Sequence, residues 1–230
     1  MGKSMIIIIG SSSGLGKKIT EMLLNYDKII FTHFKNELIF IEQNVKSQYL
    51  DLTDFESIDN FIQNNKSILK NLTLVNLSAY SKDGLFYDYD YFDWKNTFDI
   101  NVNGPFYLIK KLLPFMISNK FGRIINISSY LANNGAIGAS AYSSSKSALI
   151  GLTKTLSKEY GRFNILTNII ELGYFNIGLI DRFEEKTLNK LKKKIPTNSF
   201  GEPLEIVNMI QLLISSKYVN GAQIKINGGL

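Results

Sequence analysis

The chain has 230 residues, of which 45% are hydrophobic, 12% aromatic and 20% charged, the composition of a folded globular protein with apolar side chains enough for a sizeable core. It has no cysteine, which excludes disulfides, thiolate nucleophiles and cysteine-ligated zinc or iron–sulfur sites. The net charge of +6 raises the question of a polyanionic partner, but the lysines are scattered, and the densest run, 190–194, interleaves with Leu191 and leads to Ile195. That run reads as the wet face of a short helix and argues against nucleic-acid binding.

No repeat, low-complexity tract or linker interrupts the chain, and its four prolines are spread over positions 105, 114, 196 and 203. One domain over 1–230 is therefore expected, within the roughly 250 residues that a single core supports. The first apolar run, 5–9, is too short for a secretory signal, and no later stretch approaches membrane-spanning length. The expectation is a cytoplasmic protein with no membrane partner.

From the start of the chain, short β-branched runs alternate with longer segments of helical apolar spacing. A strand is predicted over 5–9 and a helix over 15–25, then a strand over 28–32 and a helix over 36–44. Next come a strand over 47–50 and a helix over 55–64, a strand over 72–77 and one long helix over 94–117. A strand over 123–128, a helix over 144–160, a strand over 165–170, a helix over 204–215 and a strand over 222–226 complete the series. Alternation of this kind predicts an α/β fold: a Rossmann-type, doubly wound parallel seven-stranded sheet with helices on both faces. Such sheets bind ligands beyond the carboxyl ends of their strands, where the strand order reverses.

The first strand runs directly into Gly10-Ser11-Ser12-Ser13-Gly14-Leu15-Gly16, which opens the first helix. Pyrophosphate binding needs bare backbone N–H groups at a helix N-terminus, and glycines permit the close approach. The spacing G-x-x-x-G-x-G is one residue wider at the first gap than G-x-G-x-x-G, and no G-K-[ST] ends it, so a P-loop is excluded. After the second strand stand His33-Phe34-Lys35, with no acid before Glu37. An acid there would bind the ribose hydroxyls of NAD. Its absence, with Lys35, His33 and the Ser13 hydroxyl available to a 2′-phosphate, favours NADP(H) over NAD(H). After the third strand, Asp51 is assigned to the adenine amino group and Asp54 to the cap of the following helix.

Carbonyl reduction needs a hydride, which a dinucleotide supplies, and a proton from a side chain. With one histidine in the wrong place and no cysteine, the donors narrow to Tyr, Lys and carboxylates. A Tyr with a Lys four residues later shares a helix face, and the ammonium lowers the phenol pKa. The sequence contains three such pairs: Tyr91/Lys95, Tyr107/Lys111 and Tyr142/Lys146. The first two read as packing and solvated-face residues. Tyr142/Lys146 follows a strand ending in Ser128-Ser129, so a serine hydroxyl and the tyrosine can converge on one carbonyl at the cofactor crevice.

At these residues the chain resembles the short-chain dehydrogenase/reductase family, from Ile9-Gly10 to Asn227-Gly228-Gly229. The resemblance implies that Ser129, Tyr142 and Lys146 are a catalytic triad. It makes Asn101, in Asp99-Ile100-Asn101, the fourth member, kinking its helix to hold a water against Lys146. It also implies Asp51 and Leu52 at adenine, Asn76 behind the cofactor, and the segment after Gly173, including Phe175, beside the nicotinamide. No metal is implied. Departures are Ile9 for the usual Thr, Asn76-Leu77-Ser78-Ala79 for Asn-Asn-Ala-Gly, Leu172-Gly173 for Pro-Gly, and Ile177 for a later Thr.

Within that family the motif order is most similar to the 3-oxoacyl-carrier-protein reductases, with 174–196 as the substrate-covering segment and Lys120, Arg123 and Arg162 as candidate contacts to an acidic carrier. A dehydrogenase of sugars, polyols or another pathway-specific alcohol is the alternative, and a cofactor-binding sensor or scaffold is the non-enzymatic one. The resemblance further implies a homo-oligomer, tetramer or dimer, built through the long middle helix and the Tyr142 helix.

Overall fold

A computed structural model describes residues 5–11, 14–24, 28–35, 44–178, 180 and 184–230. Seven strands, β1 (Met5–Ile9), β2 (Lys28–His33), β3 (Val45–Tyr49), β4 (Leu72–Asn76), β5 (Gly122–Ser129), β6 (Ile165–Leu172) and β7 (Gln223–Ile226), form one sheet. Their order is β3-β2-β1-β4-β5-β6-β7, and every pairing is parallel. The chain begins at the middle of the sheet, builds outward to β3, then crosses back to β4, so the strand order reverses between β1 and β4. Ile9 is level with Asn76, and Asn76 with Asn126, which brings the carboxyl ends of the central strands to one edge.

Eight helices are described: α1 (Gly14–Met22), α2 (Phe55–Asn65), α3 (Tyr91–Phe98), α4 (Gly104–Asn119), α5 (Leu131–Asn134), α6 (Ser140–Tyr160), α7 (Glu185–Lys194) and α8 (Pro203–Ser215). The apolar runs of the strands are explained by cover on both faces. Met5, Ile7 and Ile9 pack with Ile58 and Phe61 of α2 and Leu108, Leu112 and Met116 of α4. Ile6 and Ile8 pack on the other face with Ile19 of α1 and Ile206 and Ile210 of α8. Local chemistry sets the helix starts. Asp54 accepts from the Glu56 N–H at α2, as expected of a cap, and Asp90 does the same from Phe92 at α3. Each sheet edge carries an exposed lysine, Lys46 on β3 and Lys225 on β7, which discourages further strand pairing.

Strand placement follows the sequence reading within two residues at each end. The predicted helix over 94–117 is corrected: it is two α-helices joined by a π-helical turn, Asp99–Asn103. Apolar periodicity tolerates one widened turn and does not reveal it. Residues 36–43 of the helix predicted over 36–44 lie outside the described residues, and Asn44 itself is a turn before β3. The lysine run 190–194 closes α7, none of whose residues is buried.

Candidate active site

A cavity of about 940 Å³ opens along the carboxyl ends of the strands. At one end it is lined by Gly10, Gly14, Leu15 and Gly16, and along β2 and the turn after β3 by His33, Lys35, Asp51 and Leu52. At the other end stand Ser129, Tyr142, Lys146, Gly173 and Phe175. Thirteen of the seventeen residues assigned from the sequence to catalysis or cofactor binding thus border one space. Ser12 and Ser13 lie outside the described residues, and Asn76 and Asn101 are fully buried behind the wall.

The glycine loop is tight because its neighbours leave no room for a side chain. Gly10 has φ +77°, and a Cβ there would lie 2.5 Å from the Ser78 backbone nitrogen. At Gly16 a Cβ would lie 2.2 Å from the Gly10 carbonyl oxygen. Ser11, which the sequence reading passed over, is fully buried and donates to the Thr32 carbonyl at 2.8 Å, tying the loop to β2. Its place inside a serine run gave no sign of this separate task. His33 is held through Nδ1 by the Ser47 hydroxyl at 2.8 Å. Asp51 accepts from the Thr53 N–H at 2.8 Å and the Thr53 hydroxyl at 2.7 Å through one oxygen, so part of its carboxylate organises its own turn.

Asn76 builds the cavity wall without reaching the cavity. Its Oδ1 accepts from the Ser78 N–H and hydroxyl, and its amide donates to Asn126, whose own amide donates to Thr153 on α6. The unusual Ser78 is thus fixed from behind, and its carbonyl accepts from Lys146 Nζ at 2.9 Å. Lys146 donates equally to Ile127 at 2.9 Å. It is 2% exposed, and burial pushes its pKa down from 10.5 to about 7. Tyr142, one turn earlier on α6, is 8% exposed, and its ring centre lies 5.9 Å from Nζ. Ser129 ends β5 with its hydroxyl accepting from the Leu131 N–H at 3.2 Å.

Asn101 differs from these three. It sits in the π turn, and its side chain accepts from Tyr80 N–H at 2.7 Å and donates to the Tyr80 carbonyl and the Ser145 hydroxyl, both at 2.9 Å. It braces the segment after β4 against α6. The other two Tyr/Lys pairs stand elsewhere. Tyr91 is exposed and Lys95 pairs with Asp99, while Tyr107 and Lys111 share Asp59.

Of the three residues expected to contact a carrier, the structure corrects one, the buried Arg123. Lys120 and Arg123 flank the amino end of β5, and Arg162 precedes β6. Ser129 at the cavity lies six residues beyond Arg123 along β5, about 20 Å at 3.3 Å per residue. Arg123 is moreover 3% exposed and donates to the carbonyls of Gly122, Asn164 and Ser216.

Residues 4–188 match the short chain dehydrogenase family. The chain belongs to that family. It is 30% identical to a 3-oxoacyl-[acyl-carrier-protein] reductase of Aquifex aeolicus, covering 97% of this chain and 96% of the relative. It is 32% identical to carbonyl reductase family member 4 of Xenopus laevis over 97% and 96%. A crystal structure of a candidate betaketoacyl-ACP reductase shares the fold, with a TM-score of 0.84, 21% identity and coverage of 98% and 97%. As a short-chain dehydrogenase the protein is an oxidoreductase with a nicotinamide cofactor. The cavity fits such a group: Gly10, Gly14 and Gly16 give one end a wall of bare backbone, packed too closely on its neighbours at positions 10 and 16 to accept a side chain, and Ser129 and Tyr142 line the far end. Among the described residues no helix is long and apolar enough to cross a membrane.

Proposed function

We propose that the protein reduces a carbonyl to a secondary alcohol with NADPH, and that its substrate is a 3-oxoacyl group on an acyl carrier. The observation that carries the reaction is the selection among three Tyr-x-x-x-Lys pairs: Tyr142/Lys146 lines the cavity, with Ser129. The cofactor supplies the hydride. Ser129 orients and polarises the carbonyl oxygen, and Tyr142 gives it the proton. Lys146, confined between two carbonyl acceptors, presents its ammonium beside the phenol and lowers the cost of releasing that proton. Asn101 is a positioning residue that keeps α6 and the Tyr80 segment in register.

The preference for NADPH rests on His33 and Lys35 lining the cavity at the end of β2, where an acid would repel a 2′-phosphate. The acyl-carrier substrate rests on the reductase relatives, while the comparable identity to carbonyl reductase family member 4 favours a small free carbonyl as the second reading. Oxidation of NADPH and of NADH is to be followed with acetoacetyl carrier, acetoacetyl thioester and free ketones. Turnover is expected in the wild type and lost in Tyr142→Phe with cofactor affinity retained; equal turnover in the variant would overturn the mechanism. Sedimentation of the purified protein tests the accompanying expectation of a homo-oligomer.

A further inference from the structure

Two tyrosines beside the catalytic serine have no part in the scheme above. Tyr130 follows Ser129, and its N–H donates to the Leu172 carbonyl at 2.8 Å. Tyr174 follows Gly173 at the exit of the neighbouring strand, and its carbonyl accepts from the Gly201 N–H at 2.9 Å. Since Ser129 is level with Leu172 in the sheet, both tyrosines start within two residues of the same rung. Their rings meet edge to face at 5.4 Å and their hydroxyls at 2.8 Å, and both line the cavity.

This pair is pinned by its own hydrogen bond, in a cavity whose wall includes Ile100, Leu131, Ala136, Ile137 and Ala139. Only one hydroxyl can donate within the pair. The accepting hydroxyl therefore keeps a proton to give to something else. Burial, then the bond to Tyr130, pushes the Tyr174 pKa well above the ordinary phenol value, so the Tyr174 hydroxyl keeps its proton. A substrate with a single oxygen, already engaged by Ser129 and Tyr142, leaves that donor unmatched against a ligand that displaces water.

We propose that Tyr130 and Tyr174 are specificity-determining residues that hydrogen-bond a second oxygen acceptor of the substrate, such as a carbonyl one or two bonds from the one reduced. The proposal rests on the carbonyl-reduction reading and extends it to which carbonyls are favoured. Ethyl acetoacetate, a 1,3-dicarbonyl, and 2-hexanone, of similar length with one oxygen, separate the two ideas. In Tyr130→Phe and Tyr174→Phe the ring packing remains, and an unchanged NADPH fluorescence titration shows that each variant is folded. For at least one variant, KM for ethyl acetoacetate is expected to rise about three- to ten-fold, the worth of one neutral hydrogen bond, with kcat and the kinetics of 2-hexanone unchanged. Equal effects on both substrates, or none on ethyl acetoacetate, would overturn the proposal while leaving carbonyl reduction intact. A wild type that reduces neither compound would remove the reading beneath it.

Discussion

Replacing Lys146 with methionine removes the one lysine of the cavity wall that has lost almost all contact with water. In the native protein its pKa falls from 10.5 to about 7 through burial, whereas the unfolded chain keeps the ordinary value. Between those limits the unfolded chain holds more protons than the native one, so this residue's contribution to stability rises with pH. At pH 7 the native amine is half neutral, and at pH 9 it is essentially neutral while the unfolded amine is still charged. Summed over that interval the native state gains about 2 kcal/mol from this group alone. Urea titrations of the cofactor-free wild type and Lys146→Met at pH 7 and pH 9 isolate the gain, because titrating groups remote from Lys146 cancel in the difference. The wild type is expected to gain about 2 kcal/mol on the variant as pH rises. Parallel shifts of the two proteins would refute a buried, depressed amine. The absolute difference at one pH is less informative, because methionine also leaves the Ser78 and Ile127 carbonyls without their donor.

Three further substitutions probe the frame around the site. Gly16→Ala places a methyl group against the Gly10 carbonyl and is expected to weaken NADPH binding by about ten-fold or more, or about 1.4 kcal/mol, in a fluorescence titration; unchanged affinity would show that the loop is not the cradle. Asn101→Ala removes the side-chain bonds to Tyr80 and Ser145 and is expected to cost about 2 kcal/mol or more, with faster hydrogen exchange at the Tyr80 amide. Arg123→Met strands the three carbonyls that the guanidinium serves. It is expected to lower stability by about 2–4 kcal/mol while leaving KM for a carrier-bound substrate unchanged, since the residue stands at the far end of the sheet.

The strands and the glycine loop were legible because a buried parallel strand must be apolar on both faces and a tight loop must be glycine-rich. Tyr142 was separable from Tyr91 and Tyr107 only by what preceded it, a strand ending in serine, and the burial of the three pairs follows that distinction. Arg123 was misjudged because its charge suggested a surface, while its partners, Asn164 and Ser216, lie 41 and 93 residues away in sequence. The Tyr130–Tyr174 contact was hidden for the same reason, spanning 44 residues between two strand exits. The break in the 94–117 segment escaped periodicity because α3 and α4 are each regular helices and only their phase differs.

That change of phase fixes the length of the segment around Asp99–Asn103. An α-helix advances about 100° per residue, so deleting one residue to straighten the path would turn everything after it by that angle. Leu108, Leu112 and Met116, now packed in the core on the side where α4 meets β4, β5 and α2, would swing out and polar residues would swing in. Single substitutions within the turn meet only local resistance, but an insertion or deletion there has to repack one whole side of the sheet. Asn101 is therefore held in place by the spacing of core residues up to four turns away, and a change of length in this stretch registers as a loss of folding before it can register as a loss of chemistry.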